Sequence, residues 1–253
     1  MSDRGRPWPT VETSARRCGR NHIGPTGDYG ARLGTLIAVI AVQDAVLLFS
    51  DGRVVKASDG AIASDQFSKV HRLTPWVGTL TAGRHLPPLV PALRQACERI
   101  QALYADEVVE VAHQVASTQW QAVLTAMKPA ADLKLFMFLV GFDPSKNPRL
   151  YYLDSSSRPP MRVEERQLFD EGRNIEIAAI ATTGDGRNLD MAEPLAARIQ
   201  HLWRPDAGTS LVAVCSQAFR SAMAHAARSN PRIGGRAFGA LISRDMGYAA
   251  LRM

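Results

Sequence analysis

The chain contains 253 residues with a mass of 27.6 kDa, and 46% of its residues are hydrophobic and 21% charged. This composition excludes a mainly disordered protein, and the length allows one large domain or two small ones with a core of their own. The net charge of +6 comes from dispersed arginines rather than from a basic run, so nucleic-acid binding is not predicted.

The N-terminal segment differs in character from the rest of the chain. Residues 1–32 hold many arginine, glycine and proline residues without apolar periodicity, and we expect them to form an extension outside the core. They lack the apolar stretch of a secretory signal, and the longest apolar run, residues 35–50, is shorter than the ~20 residues that cross a bilayer. We therefore expect a cytoplasmic protein without a membrane span. Cys18, Cys97 and Cys215 show no CxxC spacing, so neither a zinc site nor a disulfide framework is predicted from them. No metal and no cofactor is expected.

Strand patterns open the domain. From Leu33, the run LGTLIAVIAV consists of small and β-branched apolar residues, which is typical of a strand buried on both faces. A turn at Gln43-Asp44 separates it from AVLLFSDGRVV, so the two runs predict a β-hairpin. After the polar stretch 56–68, the segment KVHRLTPWVGTLTAG predicts two further strands around a turn at Thr74-Pro75.

Helical periodicity follows these strands, and the same order then repeats. Apolar residues recur at three- and four-residue intervals over residues 86–105 and again over residues 106–128, which predicts two consecutive helices. The remaining predictions are strands in LKLFMFLVGFD, PRLYYLD, residues 161–165 and IEIAAIATTG, helices over Leu189–Trp203 and Ala207–Ser229, and a closing hairpin formed by RAFGALISRD and GYAALRM.

The order of these elements predicts the architecture. Strands that are apolar on both faces need cover on both sides. A β-rich segment, two helices, a second β-rich segment, two more helices and a hairpin therefore predict an α+β fold. The arrangement we expect is a four-layer αββα sandwich, in which two stacked antiparallel sheets are flanked by helix pairs.

The candidate site lies where the extension meets the first core strand. Gly34-Thr35 places a hydroxyl at this junction. The predicted hairpin returns the end of its second strand to the start of its first, so we expect Asp51 near Thr35, and Lys69, which opens the third strand, is expected to reach the same place. The alternative interpretation is purely structural: Asp51 belongs to a turn, Lys69 is a solvated strand end and Gly83 is a corner between strand and helix.

The runs GTLIAVIAVQDAVLLFSDGR, SKVHRL, LTAG, LVGFD and PRLYYLD resemble the β-type subunits of the proteasome and of its simpler bacterial double-ring relative, which are N-terminal-nucleophile hydrolases. The resemblance covers most of residues 34–248. Sixteen positions separate Thr35 from Asp51 and fourteen separate Lys69 from Gly83, as in the family, whereas the stretch from Asp51 to Lys69 is two residues longer. The resemblance implies a single hydrolase domain over residues 35–253, preceded by a flexible extension or propeptide, residues 1–34.

The resemblance implies a threonine-type endopeptidase that matures by autocleavage between Gly34 and Thr35. The freed α-amine has an ordinary pKa of ~7.7–8.0 and would accept the proton of the Thr35 hydroxyl, which is the nucleophile. Lys69 would lower the proton affinity of that amine, and Asp51 would keep Lys69 charged and oriented. Gly83 would offer its backbone N–H as the oxyanion donor.

Two further residues are expected to support this machinery. Arg53 follows Asp51 by two positions, on the same side of the predicted strand, and is expected to hold the Asp51 carboxylate in place. The family has a serine in a GSG turn where this chain has ATTGDGR. Thr183 is the preferred residue to keep the hydroxyl there, with Asp185 as the alternative.

Two departures from the family pattern keep other functions open. In SNPRIGGR, Asn230 stands where the family has aspartate and Ile233 where it has serine. Asn230 is still expected as a supporting residue, because it can accept a hydrogen bond although it carries no charge, whereas Ile233 can do neither. The two changes weaken the support for the terminal amine. The alternatives are a catalytically inactive structural or ring subunit of the same fold, and a small-amide N-terminal-nucleophile amidohydrolase that does not form a ring.

The resemblance also implies partners. It implies a peptide or unfolded-protein substrate and a homo-oligomeric ring whose outer helices stack two rings back to back. An ATP-dependent unfoldase or a gating subunit is left open as a further partner. No nucleic acid and no membrane is expected among the partners.

Overall fold

Two large antiparallel sheets organise the part of the chain that the computed structural model describes, which comprises residues 34–42, 44–56, 59–83, 86–126, 134–166, 168, 175–182, 188–203 and 210–253. The first sheet has six strands with the spatial order β11-β10-β1-β2-β12-β13. Their bounds in that order are Asn188–Asp190 (β11), Ile175–Thr182 (β10), Leu36–Val42 (β1), Ala45–Ser50 (β2), Phe238–Ser243 (β12) and Gly247–Leu251 (β13).

The second large sheet has five strands in sequence order, and a third sheet is a small hairpin. The five strands are Val70–Arg72 (β5), Val77–Gly83 (β6), Leu135–Phe142 (β7), Pro148–Asp154 (β8) and Arg162–Arg166 (β9). The small hairpin pairs Val54–Val55 (β3) with Ile62–Ser64 (β4).

Four helices are found in the described ranges: Leu89–Ile100 (α1), Ala105–Ala126 (α2), Ala192–Leu202 (α3) and Leu211–Ser229 (α4). Helix α1 ends because Gln101 adopts a left-handed conformation (φ 56°, ψ 32°), and its N–H donates back to the carbonyl groups of Cys97 and Glu98. Among the residues described, no helix is long and apolar enough to cross a membrane.

The central strands β1 and β7 bury both of their faces, as the apolar runs predicted. In β1, Leu36, Ala38 and Ile40 belong to a cluster with the α3 and α4 side chains, whereas Ile37 and Val39 belong to a cluster formed by both large sheets. Successive strand residues point to opposite faces, so one continuous apolar run supplies two cores. The residues of strand β7 likewise alternate between the cluster that contains the α1 and α2 side chains and the cluster formed by both large sheets.

The prediction of a mixed α+β chain with antiparallel sheets and paired helices is confirmed, whereas several of its element bounds were wrong. The second strand stops at Ser50 rather than running to Val55, because the chain leaves the sheet there. Val54–Val55 instead pairs with Ile62–Ser64 of the polar stretch in the β3–β4 hairpin. Helix α1 spans Leu89–Ile100 rather than residues 86–105. Asn188–Asp190 pairs with β10 as a strand, so α3 begins at Ala192 rather than at Leu189.

One pairing positions the candidate site. Strands β1 and β2 form an antiparallel hairpin in which Ile37 lies opposite Ser50. The residues just before β1 and just after β2 therefore leave the sheet side by side, at the edge where Thr35 and Asp51 lie.

Candidate active site around Thr35

Asp51 is fixed to the start of β1 by two hydrogen bonds with Leu36. The Asp51 backbone N–H donates to the Leu36 carbonyl at 3.0 Å, and the Leu36 N–H donates to Asp51 Oδ1 at 2.9 Å. The Asp51 side chain is fully buried. The residue after Thr35 is thus tied to the carboxylate, which sets the distance between that carboxylate and the Thr35 hydroxyl.

Lys69 connects the carboxylate to the hydroxyl. Its ammonium donates to Asp51 Oδ1 at 2.6 Å and to Thr35 Oγ1 at 3.3 Å. Thr35 and Lys69 are themselves buried, with exposed fractions of 5% and 6%. Lys69 lies just before β5, and its carbonyl accepts from the Thr81 N–H of β6 at 3.2 Å. The three side chains that the sequence predicted to converge are therefore in direct contact.

Burial dominates the electrostatics of this pair. It lowers the pKa of the Lys69 ammonium, and the Asp51 carboxylate opposes that shift. It raises the pKa of Asp51, which is opposed by Lys69 and by the N–H groups of Leu36 and Gly234. An ion pair removed from water needs hydrogen bonds on its remaining lone pairs, and these backbone donors supply them.

The second oxygen of Asp51 is held by a segment far away in sequence. The N–H of Gly234 donates to Asp51 Oδ2 at 3.2 Å across 183 positions of the chain. Gly234 follows α4 in the segment 231–236, and its carbonyl accepts from the Gly52 N–H at 3.0 Å. Asp51 thus links the first strand, Lys69 at the start of β5 and the segment after the last helix.

Arg53 does not hold the Asp51 carboxylate as predicted. Its guanidinium donates to both oxygens of Asp65, from Nε at 2.6 Å and from a terminal nitrogen at 3.2 Å, and to the Pro231 carbonyl at 2.6 Å. The prediction assumed a strand through Arg53, but β2 ends at Ser50 and the two-residue period no longer applies. Arg53 therefore contacts the segment that bears Gly234.

The two glycines of the predicted site occupy positions where a side chain would collide. A Cβ on Gly34 would overlap the backbone and Cβ of Arg232. Gly83, the last residue of β6, has a φ of +91°, and a Cβ there would overlap the Lys134 carbonyl. Both positions bring another backbone close to the chain, which is what glycine permits.

The remaining predicted residues are distributed differently. Asn230 is 2% exposed at the end of α4, and its Oδ1 accepts from the Arg232 N–H at 3.1 Å. Ile233 is buried in the cluster beneath α3 and α4 rather than offering a polar group. Thr183, with its alternative Asp185, lies outside the described residues.

Sequence reasoning missed Asp65 and Gly234. Nothing near Asp65 in the sequence distinguishes it from the other polar residues of its loop. The only sequence signal for Gly234 was its place in the glycine pair after Ile233, where a backbone N–H rather than a side chain makes the contact.

In the portion of the chain described, no group of three or more histidine, cysteine, aspartate or glutamate side chains could hold a metal ion.

Comparisons with known proteins did not identify a family: no protein-family model matches the chain, and no curated protein sequence matches it.

Proposed function

We propose that the protein is a threonine-type peptide hydrolase of the N-terminal-nucleophile class, with Thr35 as nucleophile after cleavage of the Gly34–Thr35 bond. The observation that carries the proposal is the buried chain of contacts from Thr35 Oγ1 to Lys69 Nζ (3.3 Å) and on to Asp51 Oδ1 (2.6 Å). An ion pair with a purely structural role would not require a hydroxyl in contact with its ammonium, and here that hydroxyl belongs to Thr35, the residue that precedes the first core strand.

The chemistry follows from these contacts. In the uncleaved chain the Thr35 nitrogen is an amide and is not basic. Cleavage adds water across the Gly34–Thr35 bond and leaves a free α-amine on the residue that bears the hydroxyl. That amine takes the hydroxyl proton as Oγ1 attacks a substrate carbonyl, and passes it to the leaving amine as the peptide C–N bond breaks. Water then hydrolyses the acyl ester left on Thr35, which releases the carboxylic product and restores the Thr35 hydroxyl.

Lys69 and Asp51 would tune this reaction without touching the scissile bond. An ammonium 3.3 Å from Oγ1 stabilises negative charge on that oxygen and disfavours protonation of the neighbouring amine. Asp51 keeps the ammonium charged against the effect of burial. Gly83 would serve as the oxyanion donor through its N–H, because a substrate backbone can approach a residue without a side chain.

The proposal also covers how the sheets and helix pairs are layered. Three hydrophobic clusters separate the α3 and α4 pair, the six-stranded sheet, the five-stranded sheet and the α1 and α2 pair. We infer that these layers form the αββα sandwich of N-terminal-nucleophile hydrolases. The proposal includes a homo-oligomeric ring that encloses the sites, with a peptide or unfolded protein as substrate.

The test combines intact-mass measurement with an assay of peptide hydrolysis. The wild-type chain is expected to lose residues 1–34 and to hydrolyse peptides. Thr35→Ala should retain those residues and be inactive, and the matched control Thr35→Ser should still be processed because it keeps a hydroxyl. A wild-type chain that remains intact and inactive would instead favour the non-catalytic subunit suggested by Asn230 and Ile233.

A further inference from the structure

Asp65 stands at the centre of a network outside the three-residue contact chain. Its carboxylate is paired with Arg53 by two hydrogen bonds, and its backbone carbonyl accepts from the Arg236 N–H at 2.8 Å. A Cβ built on Gly235 would lie 2.6 Å from the Asp65 carbonyl oxygen and 3.0 Å from its Oδ1. Asp65 therefore contacts the C-terminal end of the segment 231–236, at Gly235 and Arg236.

Arg53 reaches the other side of the same segment. It donates to the Pro231 carbonyl at 2.6 Å, and a Cβ on Gly234 would lie 3.2 Å from the centre of its guanidinium group. Arg53 and Asp65 thus contact the two ends of the segment, and Gly234, whose N–H binds Asp51 Oδ2, lies within it.

We propose that Asp65 is a positioning residue of the Thr35 site: by fixing Arg53, it holds the segment 231–236 so that the Gly234 N–H stays on Asp51. The Asp65 carboxylate is paired with Arg53, and its backbone lies against Arg236, Gly235 and Gly52, so Asp65 reaches the site through these neighbours. A bidentate pair of guanidinium and carboxylate suits this task, because its planar geometry fixes orientation as well as distance.

The consequence for the reaction has a definite sign. Without the Gly234 donor, Asp51 is less well stabilised as a carboxylate, so its pKa rises and Lys69 is held less firmly in its charged form. The Thr35 amine then binds its proton more tightly, and a higher pH is needed to free it. This consequence rests on the proposed function, whereas the contact between Gly234 and Asp51 does not.

Hydrogen exchange at Gly234, resolved to single residues by fragmentation mass spectrometry on the full-length protein, tests the contact directly. In Asp65→Asn, and in Arg53→Gln as a second variant, exchange at Gly234 should be at least about tenfold faster than in the wild type. The double variant should add little, because both changes break one pair. Exchange within β7 serves as the internal measure of global unfolding and should not change.

The matched control is Asp59→Asn, which removes the same charge from the same hairpin; among the described residues, Asp59 accepts from the Ala61 N–H. It should leave exchange at Gly234 unchanged. Wild-type exchange rates at Gly234 in Asp65→Asn and Arg53→Gln would overturn the inference.

A kinetic measurement separates a positioning role from a merely structural one. The acid limb of kcat/KM should move to higher pH in Asp65→Asn but not in Asp59→Asn, and an unmoved limb beside faster Gly234 exchange would overturn the positioning role. A wild-type protein without any peptidase activity would defeat the proposed function, and the exchange experiment would still decide whether Asp65 holds Gly234.

Discussion

At the scale of single residues, the central feature is a buried carboxylate with three nitrogen donors. Asp51 is fully buried and accepts from Leu36 N–H, Gly234 N–H and the Lys69 ammonium. A buried charge is tolerable only while its partners remain, so each member of this group depends on the others. The same contacts that orient Lys69 toward Thr35 therefore also stabilise the fold.

Asp51→Ala should reduce the free energy of unfolding by about 3–5 kcal/mol, because it leaves the Lys69 ammonium buried without a counter-charge. Urea unfolding in a Thr35→Ala background measures this effect without interference from processing. The double variant Asp51→Ala/Lys69→Met should be less destabilised than Asp51→Ala alone, and the exposed control Asp59→Ala should change little. Equal losses in the single and double variants would show that Lys69 does not depend on Asp51.

The dependence of kcat/KM on pH should be bell-shaped. Activity should rise with pH as the Thr35 α-amine loses its proton, and the Lys69 ammonium should place this limb below the ordinary range of ~7.7–8.0. Activity should fall again as Lys69 loses its proton. Because burial lowers the Lys69 pKa, this alkaline limb should lie below the ordinary lysine value of ~10.4.

Lys69→Arg provides the control for the assignment of the alkaline limb. Arginine stays charged over the accessible pH range, so any activity that remains should lose that limb. An alkaline limb that persists unchanged in Lys69→Arg would belong to another group.

The sequence predicted the three contacting side chains because their approach follows from local geometry. A two-strand hairpin brings Asp51 back to Thr35, and Lys69 lies just before β5, which was predicted as the third strand. Asp65 and Gly234 could not be predicted in this way. Their contact with the site depends on how the segment after α4 packs against a loop more than 160 positions earlier in the chain, and no periodic pattern encodes that packing.

At the scale of elements, apolar periodicity was sufficient where a strand or helix is long and packed on a core. Strand β1 and helix α2 lie close to their predicted bounds. The predicted bounds were wrong where contacts outside the element determine where it ends. Strand β2 ends before Asp51, which binds Leu36 and Lys69. Residues Asn188–Asp190 pair with β10 before α3 begins. Propensity alone carries no information about either contact.

Helix α1 offers a test of element stability away from the site. Gln101 holds a left-handed conformation that is unfavourable for residues with a Cβ, so Gln101→Gly should raise the free energy of unfolding by up to about 1 kcal/mol. Chemical denaturation measures the change. Gln101→Ala keeps the Cβ and should give no such gain, and a loss of stability in Gln101→Gly would contradict the assignment of the cap.

At the scale of the whole molecule, three hydrophobic clusters stack between helices and sheets. The cluster formed by both large sheets contains Ile37 and Val39 of β1 and Phe136 and Phe138 of β7. The first strand therefore sits between two cores, and the residue that precedes it, Thr35, is held at a rigid edge. This explains how a nucleophile at a chain terminus could keep a fixed position after cleavage.

The proposed ring is testable without knowledge of the substrate. Sedimentation of the processed protein should yield a closed particle of about twelve or more chains. Thr35→Ala controls for the contribution of the extension to assembly. A processed, active species that sediments as a monomer or dimer would contradict the ring and favour a small-amide hydrolase with the same nucleophile.

If Thr35 is the nucleophile and its α-amine the base, the working protein begins with Thr35. This is tested by N-terminal sequencing of purified, active protein, together with stoichiometric labelling by an electrophile that reacts with an N-terminal threonine. We predict that the sequence begins Thr35-Leu36-Ile37 and that the label is found on Thr35. Active protein whose first residue lies elsewhere, or activity that survives in Thr35→Ala, would contradict it.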